Sequence, residues 1–144
     1  MEIATGIIEF QTKGHNSIYD VTPNVREMIL KEGFEEGQVC VSAIGSTTGI
    51  SSLEFEPGLV NNDVNEMLEK VAPYGFAYRH NQTWGDDNGA AHLRSFLVNT
   101  SQNFPFVDGQ LVLGTWQQIV FVDFDTRPRS RKVVIQLMGR RKRK

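Results

Sequence analysis

The chain has 144 residues, 40% of them hydrophobic, which suits one domain with a sizeable core. Its single cysteine, Cys40, excludes an intrachain disulfide framework and a CxxC zinc ribbon. No apolar run approaches the roughly 18 to 20 residues of a membrane-spanning helix, and the N-terminus lacks the features of a signal peptide. We therefore expect a cytoplasmic protein that is neither exported nor membrane-bound.

The charge is unevenly distributed along the chain. The net charge is −2, but residues 140–144 are all basic, so residues 1–139 together carry −7. A basic run can bind nucleic-acid phosphates by counterion release, yet a short terminal block without interleaved aromatic residues is more often solvated. We predict a single domain over residues 1–139 and a basic tail over residues 140–144, with nucleic-acid binding unlikely as a main role.

The first half of the chain predicts strands and two helices. Alternation of apolar and polar residues indicates the strands, and apolar residues three or four apart indicate the helices. In chain order, the patterns predict a strand over residues 3–12, a helix that starts at Thr22-Pro23 and ends at Gly33, a strand opening at Gly37, a strand over 50–56 and a helix over 62–71.

The second half predicts mostly strands. In chain order, we expect a short strand over residues 76–80, an irregular segment over 84–89, a helix over 90–98, strands over 104–107 and 110–113, a long strand over 115–124, a turn over 126–131 and a last strand over 132–138. Asp108-Gly109 supplies the positive φ angles of a tight hairpin turn. Strands mixed with about three helices and closed by sequential antiparallel strands predict an α+β domain.

Residues 79–93, RHNQTWGDDNGAAHL, are the first candidate site. Neutral imidazole is a good zinc ligand, but His80 and His92 are twelve residues apart and meet only if the intervening turn brings them together. Asp86 and Asp87 on that turn could bind a cation or orient an imidazole. The alternative is a capping segment before the next helix, and the spacing alone favours that alternative.

Two further segments could bind anions. Ser46, Thr47 and Thr48 lie between two glycines, where backbone N–H groups and hydroxyls suit a phosphate, although a plain turn explains them as well. Arg127 and Arg129 belong to a run of three arginines that ends at Arg131 and follows Asp123 and Asp125. Such a run could clamp an anionic substrate, contact a neighbouring subunit or form a solvated turn.

Three stretches together resemble one known family over nearly the whole chain. They are Tyr78-Arg79-His80-Asn81, the segment Asp87-Asn88-Gly89 followed by Ala91-His92-Leu93-Arg94, and above all residues 108–119, DGQLVLGTWQQI. On these residues the chain resembles the YjbQ-like family, described as the secondary thiamine-phosphate synthase family. The resemblance implies an α+β β-sandwich that assembles as a homotrimer.

The resemblance also implies a histidine site near a subunit interface that binds a divalent metal such as zinc. His80 and His92 match two family histidines, and they become the expected metal ligands and, with Asp87, the expected catalytic residues. A third family position, often histidine, is Ser46 here, while Gly85 and Ala90 stand where close relatives often have imidazoles. Glu54, or one of Asp86 and Asp87, could supply an oxygen ligand instead, and a site that binds an anion or nothing is equally admissible.

The activity implied by the resemblance joins a hydroxymethylpyrimidine diphosphate to a thiazole phosphate with loss of pyrophosphate. That chemistry needs a cation or arginines at the leaving diphosphate and an anion pocket, for which residues 46–48 and the arginine run are the candidates. The alternative is a non-enzymatic trimer that binds a metal or a small anionic ligand.

Overall fold

A computed structural model describes residues 1–144 and contains two antiparallel sheets and four helices. The strands are β1 (Glu2–Thr12), β2 (Ser17–Asp20), β3 (Phe34–Ala43), β4 (Thr48–Leu53), β5 (Ser101–Val107), β6 (Gln110–Leu111), β7 (Gln118–Asp123) and β8 (Arg129–Arg141). The helices are α1 (Thr22–Lys31), α2 (Val64–Val71), α3 (Arg79–Trp84) and α4 (Gly89–Val98). The predicted α+β arrangement of mainly antiparallel strands is confirmed.

The larger sheet has the strand order β1-β8-β3-β5-β6. Its two longest strands, β1 and β8, pair over eleven residues, from Glu2 opposite Gly139 to Thr12 opposite Arg129. Inward residues alternate with exposed ones along both strands, as expected when one face of a sheet is covered. At the β5–β6 hairpin, Asp108 and Gly109 have φ angles of 53° and 75°, so the predicted tight turn is confirmed.

The smaller sheet has the order β2-β7-β4 and carries the candidate site at one end. Its central strand β7 is buried along almost its whole length, which explains the unbroken apolar run IVFV. Strand β4 pairs with β7 from Thr48 opposite Asp123 to Leu53 opposite Gln118. The main core lies between the two sheets and includes Val39, Val41, Ile50, Phe106, Ile119, Phe121, Val133, Ile135 and Leu137.

The first two helices each begin after an acidic side chain. Helix α1 starts at Thr22, as the sequence predicts, and the N–H of Thr22 donates to the Asp20 carboxylate at 2.9 Å. A wide helical turn over Leu59–Asp63 precedes α2, and Glu56 accepts from the N–H groups of Gly58 and Leu59 at its start. These backbone hydrogen bonds lower the pKa of Glu56. Side-chain oxygens just before each helix therefore satisfy its first N–H groups.

Three predicted segments of the second half are wrong in type or extent. The strand predicted over 76–80 does not exist, because α3 begins at Arg79 and no strand lies beside that segment to pair with it. Strand β7 starts at Gln118, since residues 114–117 form a separate turn. Strand β8 begins at Arg129, inside the predicted turn over 126–131, because pairing with β1 extends the ladder to that residue.

Strand β8 also continues into the predicted basic tail. Arg140 forms ion pairs with Glu35 and Glu36, and Arg141 reaches Glu2 and Glu32. Two of the five basic charges are thus matched by carboxylates of the same sheet and of the end of α1. No helix of the protein has both the length and the apolar character needed to cross a bilayer.

Candidate functional site

The two histidines of residues 79–93 lie on a short helical hairpin. His80 is the second residue of α3 and His92 the fourth residue of α4, and Gly85, with φ 68° and ψ 33°, ends α3 in the left-handed conformation. Gly89 starts α4, and its N–H donates to the Asn81 side chain at 2.8 Å. A Cβ at Gly89 would lie 2.8 Å from both Asn81 Oδ1 and Tyr78 Cβ. The absence of a side chain there allows the two helices to approach each other.

This hairpin brings the two imidazoles into contact, and we call them the histidine pair. The ring centroids of His80 and His92 are 4.5 Å apart, with 44° between the ring planes. Both side chains are partly exposed, so solvent reaches the pair. The eleven residues between the histidines therefore form the connection that lets the two rings converge, which the spacing alone did not favour.

Each imidazole faces a protein group that can orient it. His80 Nδ1 lies 3.3 Å from an Asp86 oxygen and 3.4 Å from Asn81 Oδ1, which leaves Nε2 without a protein partner. The backbone of Ser46 faces the His92 ring and favours its charged form. A carboxylate or carbonyl on one ring nitrogen that leaves the other nitrogen free is the usual arrangement of metal-ligating and catalytic histidines.

The environment of His92 favours its neutral form. Burial and the neighbouring His80 lower its pKa, and the opposing effects of Asp125, Asp86 and the Ser46 backbone do not restore it. Because the ordinary value is 6.5, His92 is uncharged at neutral pH. A neutral imidazole can bind a metal or accept a proton.

A network of buried charged groups lies beside the histidine pair, at the adjoining ends of four strands. Arg131 binds Asp123 through two hydrogen bonds of 2.8 and 2.9 Å, and Thr12 donates to the same carboxylate. Arg129 donates to Asp125 at 3.0 Å. We call this set the ion network, and its members are Thr12, Thr47, Asp123, Asp125, Arg129 and Arg131.

Asp125 connects the ion network to the histidine pair. Its side chain is buried, and burial opposes its ionisation. Hydrogen bonds from the Thr126 N–H and Asn88, together with the Arg129 charge, outweigh burial and hold its pKa below the usual value. The resulting fixed negative charge acts on His92 and offsets part of the lowering of its pKa.

Most of the predicted anion-binding groups already have protein partners. Thr47 and Thr48 are buried, and their hydroxyls donate to Asp125 and to the Gly45 carbonyl. Arg129 is engaged by Asp125. Only Ser46 and Arg127 present exposed side chains without such partners. The anion site therefore stays a prediction, and these two residues are what the structure leaves available for it.

The predicted metal-ligand set is incomplete within one chain. No group of three or more His, Cys, Asp or Glu side chains is arranged to hold a metal ion. Glu54 follows the far end of β4, and the six residues from Thr48 to Leu53, five steps along the strand, span about 17 Å at the usual rise of a strand. Asp87 lies on the hairpin but accepts a hydrogen bond from Thr126 at 2.7 Å. The histidine pair could offer at most two nitrogen ligands, where catalytic zinc usually has three protein ligands.

A small polar cleft opens next to the pair. Its volume is about 220 Å³, and it has no hydrophobic residue in its lining, which consists of Asp86, Asp87, Asn88, Asp125, Thr126 and Arg127. Three carboxylates face one guanidinium there. The cleft therefore suits a cation, or a phosphate that arrives with a cation, better than a free anion.

Sequence reasoning missed three residues that shape the site. Asn81 joins α3 to α4, and no local pattern predicts this contact across eight residues. Asp125 enters the sequence prediction only as a residue ahead of the arginine run, although a carboxylate so close to an apolar strand is itself unusual. Arg94 is fully buried and donates to Ala72, Asn16, Asn65 and Glu69 while stacking on Tyr74. Arg94 is four and three residues after Ala90 and Ala91, which places it on the same inner face of α4. This spacing is a signal that the sequence alone contains.

Comparisons with known proteins agree with this description. A family model described as "UPF0047 protein YjbQ-like" matches residues 6–140. A UPF0047 protein of Archaeoglobus fulgidus is 35% identical over 131 residues, which covers 91% of this chain and 98% of the relative. The UPF0047 protein YugU of Bacillus subtilis is 30% identical over 132 residues, 92% of this chain and 97% of the relative.

A solved structure extends the likeness to three dimensions. The crystal structure of a YbjQ-like protein of unknown function from Sulfolobus solfataricus superposes with a TM-score of 0.84 at 26% identity, covering 96% of this chain and 99% of the other. The matched regions include both the histidine pair and the residues 108–119 that carry the resemblance. The chain therefore belongs to the UPF0047, YjbQ-like family.

Proposed function

We propose that the chain is a metal-dependent transferase of the thiamine-phosphate-synthase type, with the histidine pair as its metal-binding and catalytic centre. The observation that carries this proposal is the contact between two imidazoles, of which His80 is oriented by Asp86 and keeps Nε2 free. Zinc prefers such nitrogen ligands, and the open positions of a catalytic site take water or substrate. The match is partial, because the usual third protein ligand is missing.

The charge of the neighbouring cleft supports a phosphorylated substrate that binds with a cation. Three aspartates would repel a free diphosphate, whereas Arg127 offers one exposed guanidinium at the rim. When bound, a divalent ion would supply charge stabilisation for the leaving diphosphate. Neutral His92 would offer a ring nitrogen to that ion, Asp86 would orient His80, and Arg127 would bind a phosphate oxygen.

A second candidate is a non-enzymatic protein that binds a metal or a small anion. The observation that favours it is the engagement of Thr47, Thr48 and Arg129 within the protein, which leaves too few free donors for a strong diphosphate clamp. In that case ligand binding would be measurable without turnover.

Metal analysis of protein purified without chelators or affinity-tag metals tests the centre directly. We expect close to one zinc or other divalent ion per chain and a higher melting temperature with added zinc. His80→Ala and His92→Ala should abolish both effects. His15→Ala is the matched control, because His15 is an exposed histidine whose ring packs on Tyr74. Absence of stoichiometric metal, together with no thermal shift, would refute the metal centre.

A coupled assay separates the two candidates. Formation of thiamine phosphate from hydroxymethylpyrimidine diphosphate and thiazole phosphate, lost in His80→Ala and His92→Ala but kept in His15→Ala, would support the transferase. Metal binding with no product under the same conditions would favour the binding protein.

We also propose that the protein assembles as a homotrimer in the cytoplasm. The assembly is supported by large apolar side chains left exposed on α4 and in the turn that contains Trp116, since monomers seldom expose such patches. The pairing of Arg140 and Arg141 with glutamates reduces the charge available to nucleic-acid phosphates. The partners that we expect are therefore other copies of the chain and a small phosphorylated molecule.

A further inference from the structure

Three successive residues between β1 and β2 have left-handed backbones. Gly14, His15 and Asn16 have φ angles of 74°, 49° and 64°, and we call these three residues the left-handed loop. Residues with a side chain rarely adopt this conformation, and it persists where the surrounding structure enforces it. The contacts that enforce it here lie beside the candidate site.

The left-handed loop packs against the backbone of residues 125–127, which line the polar cleft. The His15 N–H donates to the Asp125 carbonyl at 2.6 Å. A Cβ at Gly14 would lie 2.7 Å from the carbonyl oxygens of both Asp125 and Arg127, so the two backbones are in contact. The position of the loop therefore sets the position of the segment that presents Asp125 and Arg127 to the cleft.

The same loop is tied to α4 by a buried guanidinium. Arg94, two residues after His92, is fully buried, and its Nη1 donates to Asn16 Oδ1 at 3.3 Å. Arg94 also donates to Asn65 and Glu69 of α2, at 2.9 and 2.6 Å. Because the guanidinium is planar, it holds these acceptors in one fixed arrangement. The loop, α2 and α4 thus share a single anchor.

Tyr74 connects this anchor to the end of β7. The guanidinium carbon of Arg94 lies 4.0 Å from the centroid of the Tyr74 ring. The Tyr74 hydroxyl donates to the Phe124 carbonyl at 2.8 Å, one residue before Asp125. Burial raises the pKa of Tyr74 to about 12, so the hydroxyl keeps its proton and remains a donor. The backbone that carries Asp125 is therefore held from two sides, by Tyr74 and by the left-handed loop.

We propose that Arg94, Tyr74 and the left-handed loop form a brace that holds the Asp125 carboxylate at a fixed position relative to the His92 ring. Neither Arg94 nor Tyr74 lines the cleft, so both are positioning residues. They act through Asp125, whose charge acts on His92. The role of the brace at the metal centre rests on the proposed function, whereas the brace itself belongs to the metal-free protein.

The chemistry of Arg94 favours positioning over simple space filling. An apolar side chain of similar volume would fill the inner face of α4 without the desolvation of a charge. The guanidinium instead fixes the direction of its hydrogen bonds to Ala72, Asn16, Asn65 and Glu69. Backbone strain in the left-handed loop points the same way, because strained residues are typical of sites that are held in one geometry.

Proton NMR of the histidine rings in the metal-free protein tests the brace. The chain has three histidines, so the spectrum of His92→Ala identifies the His92 signals. Tyr74→Phe removes only the hydroxyl that is bonded to the Phe124 carbonyl, and it should shift the His92 ring signals. Ile135→Val in the main core is the control, because it costs a similar amount of stability away from the site. A purely structural effect would lower the melting temperature of both variants and leave the His92 signals in place.

A pair of glycine variants perturbs the brace from its other side. Gly14 and Gly33 have φ angles of 74° and 68°, so an alanine strains the backbone at either position. Only at Gly14 does the new methyl group meet the carbonyls of residues 125 and 127, since nothing lies within 4 Å of a Cβ at Gly33. Gly14→Ala should therefore shift the His92 signals, and Gly33→Ala should not. If Gly14→Ala does not fold, Tyr74→Phe decides.

Zinc titration connects the brace to the proposed centre. Tyr74→Phe should weaken zinc binding about 10-fold, the lower end of the effect of removing a partner of a metal ligand, while Ile135→Val keeps the wild-type affinity. The inference is overturned if the His92 signals of Tyr74→Phe coincide with those of the wild type, if Ile135→Val shifts them as far, or if Tyr74→Phe binds zinc as the wild type does. A wild type that binds no zinc refutes the metal centre, and the ring signals then still decide the brace.

Discussion

The ion network and the histidine pair lie side by side, yet their polar atoms are used differently. In the network, Asp123 and Asp125 are buried and accept hydrogen bonds from arginines, hydroxyls and backbone N–H groups. In the pair, His80 keeps Nε2 free, and both rings are reached by solvent. The ion network is built to hold the strand ends in place. The histidine pair keeps a ring nitrogen free, which ligand binding and catalysis require.

This contrast also explains why charge clusters in the sequence are ambiguous. The arginine run predicts an anion site, because guanidinium groups bind phosphate well. Folding pairs two of its three arginines with buried aspartates and leaves Arg127 exposed. The histidines looked weaker on spacing, yet they meet. Whether a side chain is free to bind a ligand depends on its partners in the fold and not on its residue type alone.

The largest expected effect comes from breaking the ion network. Asp123→Ala leaves the Arg131 guanidinium buried without its carboxylate, and we expect it to lower the free energy of unfolding by about 3–5 kcal/mol. Urea denaturation measures the loss. The double variant Asp123→Leu/Arg131→Met should recover a large part of it, because an apolar pair leaves no unmatched charge. Equal loss in the single and double variants would contradict a role for the ion pair.

A smaller effect is expected where α3 meets α4. Gly89→Ala places a Cβ within 2.8 Å of Asn81 and Tyr78, so the helices must separate. We expect a loss of about 1–3 kcal/mol in the free energy of unfolding and weaker metal binding, measured by denaturation and by zinc titration. Gly75→Ala is the matched control, since nothing lies within 4 Å of its new methyl group. If Gly89→Ala binds zinc with wild-type affinity, metal binding does not depend on the contact between α3 and α4.

The lowered pKa of His92 predicts a modest dependence of stability on pH. Between its folded pKa and the ordinary value of 6.5, the unfolded chain binds more protons than the folded one. The contribution of His92 to the free energy of unfolding is therefore complete above that ordinary value. It is lost as the pH falls from there through the folded pKa. Melting curves from about pH 7.5 to about pH 5.5 should show a shallower decline in His92→Gln than in the wild type, with His15→Gln following the wild type. Equal slopes in all three proteins would remove His92 as the cause.

The smallest effect on stability is expected at Arg127. Its side chain is exposed, so Arg127→Ala should change the free energy of unfolding by no more than about 0.5 kcal/mol. It should nevertheless weaken the binding of pyrophosphate in the presence of zinc, measured by calorimetry. Arg129→Ala is the opposite case, because it removes a partner of buried Asp125 and should destabilise the fold. If Arg127→Ala binds pyrophosphate as the wild type does, the rim of the cleft is not the anion site.

Local sequence patterns correctly predicted the elements whose type does not depend on the strand or helix that they contact. The alternation in residues 3–12 gives the same strand whichever strand it pairs with, and Asp108-Gly109 encodes its turn geometry directly. The strand predicted over 76–80 is wrong because so few residues fit a strand or a helix equally well. The contact that decides for the helix is the hydrogen bond from the Gly89 N–H to the Asn81 side chain. Strand β8 exceeded its prediction at both ends, since pairing with β1 and β3 extends it.

The amino-acid sequence by itself determined the α+β class, the antiparallel hairpin and, through residues 78–94 and 108–119, the family and its two histidines. Only the tertiary structure decided that His80 and His92 touch, that Thr47, Thr48 and Arg129 are engaged inside the protein, and that Trp116 faces solvent. The reason is physical. Periodicity and turn chemistry act over a few neighbouring residues, whereas burial and pairing depend on strands and helices that lie far apart in the chain.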